Sequence, residues 1–161
     1  MNNVEKAIST ARRVGVHIVY VTLAFREGHP EIHESHHRFG PIKASKVMFT
    51  PSHDGTLIHP AIEPMPGDVI VLKKRVSAFA GSDLEIILRA QKAEHLVLSG
   101  FSTSGVVLST AREAEDKGYH LTVLSDACAD PDPQVHDFLI KRVIPSSGIV
   151  LTTDEWVDAL N

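Results

Sequence analysis

The sequence predicts an α/β protein in which a mainly parallel, Rossmann-like sheet lies between two layers of helices. Five short apolar or β-branched runs have the length of buried strands, at residues 17–23, 68–72, 95–98, 121–124 and 149–151. Segments with apolar residues at helical spacing lie between most of these runs. Because strands that alternate with helices pair in parallel through right-handed crossovers, we expect a three-layer αβα architecture.

The predicted helices have recognisable ends. Candidate N-caps precede three of them, namely Asn3, Ser82 and Thr153. A fourth helix is expected to begin near residue 132, and a fifth follows residue 105. Gly15 and Gly118 stand where a left-handed residue would end the first helix and the helix after residue 105.

Composition limits the class of protein. The 161 residues fit a single domain, 1–161, and 43% hydrophobic with 22% charged residues is ordinary for a globular protein. A formal charge of −4 without a basic stripe argues against a nucleic-acid partner. One cysteine excludes an intrachain disulfide, and no apolar run is long enough for a membrane span or resembles a signal peptide. We therefore expect a cytoplasmic protein without nucleic-acid or membrane partners.

The stretch from Ser99 to Arg112 is the best candidate for a functional site. It joins a predicted strand to a predicted helix through a turn of Gly, Ser and Thr residues. In parallel α/β sheets, ligands bind at the carboxyl ends of strands, where N–H groups of the following helix point outward. A small-molecule substrate is the partner that this position predicts.

The same stretch resembles a known family. Gly-Phe-Ser-Thr-Ser-Gly-Val-Val-Leu-Ser-Thr-Ala-Arg, residues 100–112, is similar to the nucleophile loop of the isochorismatase-like (cysteine hydrolase) superfamily, commonly Gly-Val-Ala-Thr-Asp-Val-Cys-Val-Glu-Ser-Thr-Ala-Arg. Segments 55–60, 66–68 and 73–79 also resemble the family, so the similarity covers nearly the whole chain. It implies hydrolysis of a small polar substrate, at an amide C–N bond or a vinyl ether. The position of the family's cysteine nucleophile is Val106 here.

The resemblance also implies which residues form the site. Lys73, in a Lys-x-Arg-x-Ser-Ala-Phe pattern, is the remaining catalytic candidate, because a lysine at a strand end can stabilise developing negative charge. The Phe101–Ser102 peptide corresponds to a non-prolyl cis bond, and the N–H groups of Ser102 and Val106 would form an oxyanion hole in a turn that includes Thr103. The residues expected to line the pocket are Arg75, Phe79, Ser104 and Ser109.

Other nucleophiles have weaker support. No Gly-x-Ser-x-Gly pattern accompanies the serines of the turn, so capping and turn polarity explain them. Cys128 follows a later strand, where a cysteine usually behaves as a small buried hydrophobe. A catalytically silent binding or assembly subunit is therefore the alternative to a hydrolase.

A second departure from the family is structural. Members usually begin with a central strand that ends in an aspartate, the general base, and residues 1–161 contain no counterpart of it. Three explanations are open: the sequence is a fragment, the two flanking strands close up, or another chain supplies the strand.

Histidines cluster after the first predicted strand. Glu27, His29 and His33 could supply one carboxylate and two imidazoles to a divalent metal. The segment is a polar loop in which solvated histidines are common, so we expect no cofactor and keep the metal as the alternative.

The connection from residue 26 to 68 contains six prolines and little periodicity. So long a connection within a compact domain is usually functional. Its apolar residues (Ile32, Ile42, Val47, Met48 and Phe49) suggest burial against another surface. We therefore predict a homo-oligomer whose interface includes residues around 40 to 60.

Overall fold

The computed structural model describes residues 1–160, which form an α/β domain. The helices are α1 (Asn2–Arg13), α2 (Gly40–Ser45), α3 (Leu84–Ala90), α4 (Leu108–Asp116), α5 (Pro133–Phe138) and α6 (Thr153–Ala159). The strands are β1 (Val19–Leu23), β2 (Val69–Lys73), β3 (His95–Phe101), β4 (His120–Ala129) and β5 (Ile149–Leu151). π-Helical turns at Thr103–Val107 and Leu139–Val143 precede α4 and follow α5. No helix within 1–160 is both long and apolar enough to cross a membrane.

The strands form two separate parallel sheets. β1 pairs with β2 in register from Val19–Val69 to Leu23–Lys73. β3, β4 and β5 form the second sheet with β4 in the middle. In residues 1–160 no ladder joins β1 to β3. The flanking strands have therefore not closed up, which removes one of the three explanations that the sequence left open.

The predicted elements are present, with differences at their ends. β3 and β4 extend beyond residues 98 and 124, because their neighbours continue to offer pairing partners after a register shift between Leu98 and Gly100. The last helix is capped one residue before the prediction, by Thr152 in a capping box. The predicted N-cap Asn3 instead lies within α1, and its side chain donates to the carbonyl oxygen of Asp126.

Helices cover both faces of the strands. On one face, α3 and α4 pack on Val71, Ala78 and Leu121, with Val19, Val21, Leu96 and Leu98 at the margin of that cluster. On the other face, Ala7 and Ala11 of α1 meet Leu124, Ala127 and Trp156. The side chains of β3 and β4 thus alternate between two apolar layers, which confirms the three-layer αβα fold.

The connection between β1 and β2, residues 24–68, contains more regular structure and more buried residues than its composition predicts. It holds α2 and two 3₁₀ turns, at Asp54–Thr56 and Pro60–Ile62. Ile32 packs with Phe25 and Phe39 in a small cluster of its own, against which Ile42 and Phe49 also lie. Three of the five apolar residues assigned to an oligomer contact are therefore covered by their own domain, whereas Val47 and Met48 remain exposed.

Candidate functional site

The site is built on the turn that follows β3. The peptide between Phe101 and Ser102 is cis, as the family resemblance implies. The chain then enters the π-helical turn Thr103–Val107 and continues as α4. The N–H groups of Gly105 and Val107 both donate to the carbonyl oxygen of Ser102, at 3.2 Å each. The turn is thus a defined structure rather than an open loop.

Backbone donors of this turn differ in their partners. The N–H of Ser104 donates to a carboxylate oxygen of Asp130 at 2.7 Å, and this backbone bond is the main reason that the pKa of Asp130 is lowered. Within residues 1–160 the N–H of Ser102 donates to no protein acceptor. A substrate oxygen beside the turn would supply the missing acceptor, which is what an oxyanion hole requires.

Thr103 and His136 hold the turn in place from its buried side. Thr103 is fully buried, and its hydroxyl oxygen lies 2.8 Å from His136 Nδ1. Full burial means that the Thr103 hydroxyl cannot reach a substrate, so this pair positions the backbone. Sequence analysis missed His136 because it lies 33 residues from Thr103, on α5.

Val106 is half-buried at the family's nucleophile position. It packs against the cluster of Val107, Val123 and Ile140 between β4 and the segment after α5. A valine there offers no nucleophile and no proton donor. The attacking atom of any reaction at this turn must therefore come from outside the side chain at 106.

Lys73 ends β2 at the same edge of the domain. It is 8% exposed, and its Nζ donates to the carbonyl oxygens of Arg75 at 2.6 Å and Val76 at 3.0 Å. Burial, with a smaller repulsion from Arg38, lowers the pKa of Lys73 to about 8. Lys73 is thus a buried cation whose charge changes near neutral pH.

Arg38 links Lys73 to the turn. A Cβ added to Gly105 would lie 3.4 Å from Arg38 Nη2 and 2.6 Å from Ser102 Oγ, so glycine permits the guanidinium to approach the backbone. No carboxylate forms a salt bridge with Arg38 or Lys73 within the described chain. Arg38 is thus an unpaired cation beside the turn, and Lys73 is a second unpaired cation near enough to Arg38 for the two charges to repel each other. Sequence analysis missed Arg38, because nothing in the polar loop distinguishes it from its neighbours.

The remaining predicted pocket residues have varied surroundings. Arg75 donates to the carbonyl oxygen of Glu31 at 2.8 Å and lies over the Phe39 ring. Phe79 lies in the core, where its ring stacks on the Tyr119 ring with 6.0 Å between the ring centroids. Ser104 is exposed at the turn, and Ser109 is half-buried on α4.

The structure does not bring together the metal ligands of the alternative interpretation. His29 is fully buried and its Nε2 donates to the carbonyl oxygen of Met48 at 2.8 Å, whereas His33 bonds to Ser35. Across residues 1–160 no three His, Cys, Asp or Glu side chains are grouped as a ligand set. Cys128 is buried in β4, and burial raises its pKa to about 11, so it is not a nucleophile at neutral pH.

Comparison with known proteins agrees with this geometry. The isochorismatase domain family matches residues 1–155. The uncharacterized isochorismatase family protein YecD of Escherichia coli is 35% identical over 103 residues, 63% of this chain and 55% of that protein. The ureidoacrylate amidohydrolase RutB of Variovorax paradoxus is 34% identical over 168 residues, 96% of this chain and 66% of that protein. The chain thus spans between about half and two thirds of these two relatives.

Solved structures share the fold over nearly the whole chain. An isochorismatase family protein from Burkholderia thailandensis superposes with a TM-score of 0.87 at 25% identity, covering 98% of this chain and 80% of that one. N-carbamoylsarcosine amidase from Thermoplasma acidophilum superposes with a TM-score of 0.76 at 30% identity, covering 95% and 82%. Sequence, fold and the cis turn agree, and the chain belongs to the isochorismatase family of hydrolases.

Proposed function

We propose that this site binds a small, negatively charged polar substrate and hydrolyses an amide C–N bond in it. The observation that carries the proposal is the unpaired Arg38 guanidinium, with the Lys73 ammonium near it, beside a turn whose Ser102 N–H is free. A guanidinium pairs well with a carboxylate, and a free backbone N–H pairs with a carbonyl oxygen. Together they select a molecule that carries both groups.

The relatives' names support a substrate class. Ureidoacrylate and N-carbamoylsarcosine are both acids that carry a carbamoyl group. In this site the carboxylate would lie at Arg38 and the carbamoyl oxygen at the N–H of Ser102. The same names favour amide over vinyl-ether hydrolysis, the other reaction that the resemblance implies.

Water is the nucleophile that this proposal requires, because Val106 has none. The water oxygen bonds to the carbamoyl carbon, the C–N bond breaks, and the nitrogen leaves with a proton from the water. The ammonium group of Lys73 and the N–H of Ser102 stabilise the negative charge that develops on the carbonyl oxygen. Because Lys73 acts as a cation, turnover falls as the pH rises through about 8.

A second candidate is a catalytically silent subunit that binds the same molecules. Val106 in the nucleophile position favours it, and so does the absence of a carboxylate paired with Lys73 among residues 1–160. The two candidates share a ligand and differ only in turnover.

The test uses N-carbamoyl-β-alanine, a saturated ureido acid. Binding is measured by calorimetry and hydrolysis by NMR of the substrate, for the natural chain, for Arg38→Met and for the control Arg142→Met. Arg142 is exposed in the π-helical turn that follows α5. Arg38→Met loses the charge-assisted hydrogen bond to the substrate carboxylate, so it should bind roughly tenfold or more weakly. Arg142→Met should bind as the natural chain does. If the natural chain binds the ligand without hydrolysing it, the catalytically silent subunit is the correct candidate. Equal affinity of Arg38→Met and Arg142→Met would contradict the proposed binding site.

We also propose that the protein is a homo-oligomer. Besides Val47 and Met48, the outer strand β2 exposes about half of Ile70 and Leu72. Exposed apolar residues on a sheet face are typical of an interface. Light scattering at micromolar concentration should give at least twice the mass of one chain, 17.6 kDa. A stable monomer would contradict this part.

A further inference from the structure

The amino ends of β3 and β4 carry two histidines that lie outside the candidate site. His95 begins β3 and His120 begins β4, and the two are direct partners in the parallel ladder between these strands. Direct partners on adjacent strands point to the same face of a sheet. Their rings accordingly lie side by side, with 6.3 Å between the ring centroids and 48° between the ring planes. We call His95 and His120 the histidine pair.

The backbone fixes the spacing of the histidine pair. β4 is the central strand of the three-stranded sheet and pairs with β3 on one edge and with β5 on the other. Adjacent strands lie about 4.8 Å apart, so the two side chains start from positions that the ladder keeps constant. Both histidines are exposed, so a hydrated ion can reach their rings. The histidine pair is therefore both preorganised and accessible.

The distance between the two rings suits a shared metal ion. A bond between a divalent metal and an imidazole nitrogen is about 2.0–2.1 Å long. The ring centroid lies about 1.15 Å beyond that nitrogen, so two imidazoles on one metal have centroids about 4.5 Å apart at right angles and about 6.4 Å apart on opposite sides. The observed 6.3 Å lies within this range. Rotations about the side-chain bonds give access to the rest of it.

A buried hydroxyl beside the histidine pair is the outer partner that a metal-binding histidine needs. His95 Nε2 lies 2.8 Å from Thr122 Oγ1, and Thr122 is 3% exposed. When Nδ1 of His95 binds a metal, Nε2 keeps the ring proton and donates a hydrogen bond to this hydroxyl oxygen. Such a partner orients the ring and makes its free nitrogen a better ligand. Thr122 therefore supports metal binding by His95.

The histidines of the loop after β1 are arranged differently. His29, His33 and His36 each bond through a ring nitrogen to a group within residues 33–48. The described chain contains no other contact between two histidine rings. Two ligands at a fixed spacing bind one ion more tightly than either does alone, because the second bond forms within the same molecule. The histidine pair is therefore the stronger candidate for a metal ion.

We propose that His95 and His120 bind a divalent transition-metal ion between the amino ends of β3 and β4, with Cu²⁺ bound more tightly than Zn²⁺. Imidazole is a ligand for both ions, and Cu²⁺ stands above Zn²⁺ in the order of affinities. Within residues 1–160 no third side chain of a metal-binding type joins the pair, so water completes the coordination. β3 has seven residues, which places the ion about 20 Å from the turn at its carboxyl end, at about 3.3 Å per residue. The ion therefore crosslinks two strands and takes no part in the proposed hydrolysis.

Cu²⁺ itself locates the site in the full chain, because a paramagnetic ion broadens the NMR signals of nearby amides. The ion is added far below one equivalent, so that the tightest site fills first. The amides next to His95 and His120 should broaden before all others. Broadening that begins in the loop of residues 33–37, or that is equal around all exposed histidines, would overturn the proposal. This measurement uses the natural chain and does not depend on the folding of a variant.

Calorimetry with Cu²⁺ then tests each residue of the site. His95→Gln and His120→Gln should each weaken binding about tenfold or more, and Thr122→Val, which removes the hydroxyl at nearly constant volume, should weaken it about tenfold. His37→Gln changes an exposed histidine of the loop and is the matched control, so it should bind as the natural chain does. Equal affinity of His120→Gln and His37→Gln would overturn the site, and unchanged affinity of Thr122→Val would overturn the role of the hydroxyl.

Discussion

The two sheets of this domain are made of similar strands but differ in how their neighbours support them. β4 is paired on both edges and covered on both faces, and Val123 and Leu124 are at most 1% exposed. β2 buries Val71 equally well on one face but leaves Ile70 and Leu72 about half exposed on the other. Strand propensity is comparable in the two, so the difference lies in tertiary contacts.

The two-stranded sheet is attached to the rest of the domain mainly by side chains. Arg12 of α1 forms a salt bridge with Asp68 and donates to the hydroxyl of Tyr20 at 3.2 Å. The N–H of Ala78, just beyond β2, donates to the hydroxyl of Thr110 on α4 at 2.9 Å. Without a ladder to β3, we expect this sheet to open separately from the other one.

Hydrogen exchange should show the largest contrast. Amides of β1 should exchange about 1,000-fold faster than those of β4, a difference of about 4 kcal/mol in opening free energy, because β1 opens without breaking the three-stranded sheet. The measurement is native-state exchange followed by NMR or mass spectrometry. Equal protection of Val21 and Val123 would show that the two sheets unfold as one unit.

Lys73 should make the smaller sheet dependent on pH. Its pKa of about 8 lies below the ordinary 10.5, so between these values the unfolded chain binds more protons than the folded one. The stability of the natural chain relative to Lys73→Met should therefore rise with pH across this window, by about 3 kcal/mol in total, and stay constant below it.

The measurement is urea unfolding from pH 7 to pH 11. Lys141→Met is the control, because Lys141 is exposed and its one salt bridge within residues 1–160 is to Asp137. If the difference in the free energy of unfolding between the natural chain and Lys73→Met does not change with pH, the lowered pKa of Lys73 is wrong.

Two valines with the same burial offer a matched pair. Val71 and Val123 are both 0% exposed, so replacing either with alanine should cost roughly 2 to 3 kcal/mol locally. Val123→Ala should speed exchange throughout the domain, whereas Val71→Ala should speed it in β1 and β2 only. Exchange maps of the two variants test this, and identical maps would contradict separate opening.

The smallest effect concerns a thiol placed at the turn, where the two halves meet. Val106 follows β3, and Arg38 Nη2 lies 3.4 Å from a Cβ built on the neighbouring Gly105, while Lys73 is near enough to Arg38 for the two charges to repel each other. In Val106→Cys these charges and the helix start should lower the thiol pKa by roughly one unit, about 1 kcal/mol. At pH 7 this thiol should react with iodoacetamide several-fold faster than free cysteine does.

Cys128 is the internal control for this reaction. Its pKa of about 11 predicts a rate far below that of free cysteine in the folded chain, and peptide mapping separates the two thiols. A Val106→Cys thiol that reacts no faster than free cysteine would show that the cations do not act on position 106.

Much of the fold was predictable because it depends on local patterns. The apolar runs located all five strands, and the Gly, Ser and Thr residues after β3 located the turn. The Phe101–Ser102 cis peptide came from the family resemblance, and the structure confirms it. Strand ends were less predictable. Ser125 and Asp126 have the composition of a turn, yet β4 continues through them, because Ser125 donates to the carbonyl oxygen of Leu151 in β5 and Asp126 accepts from Thr153 at the start of α6. Pairing with β3 resumes at Cys128.

The sequence by itself determined the alternation of strands and helices, the family and the location of the turn, because these depend on residue periodicity and on a contiguous motif. Only the tertiary structure decided that β1 and β3 stay apart, that Phe79 joins the core, and that Arg38 and His136 converge on the turn. These features join residues separated by tens of positions. Their free energy comes from packing and pairing between distant segments, which no local pattern records.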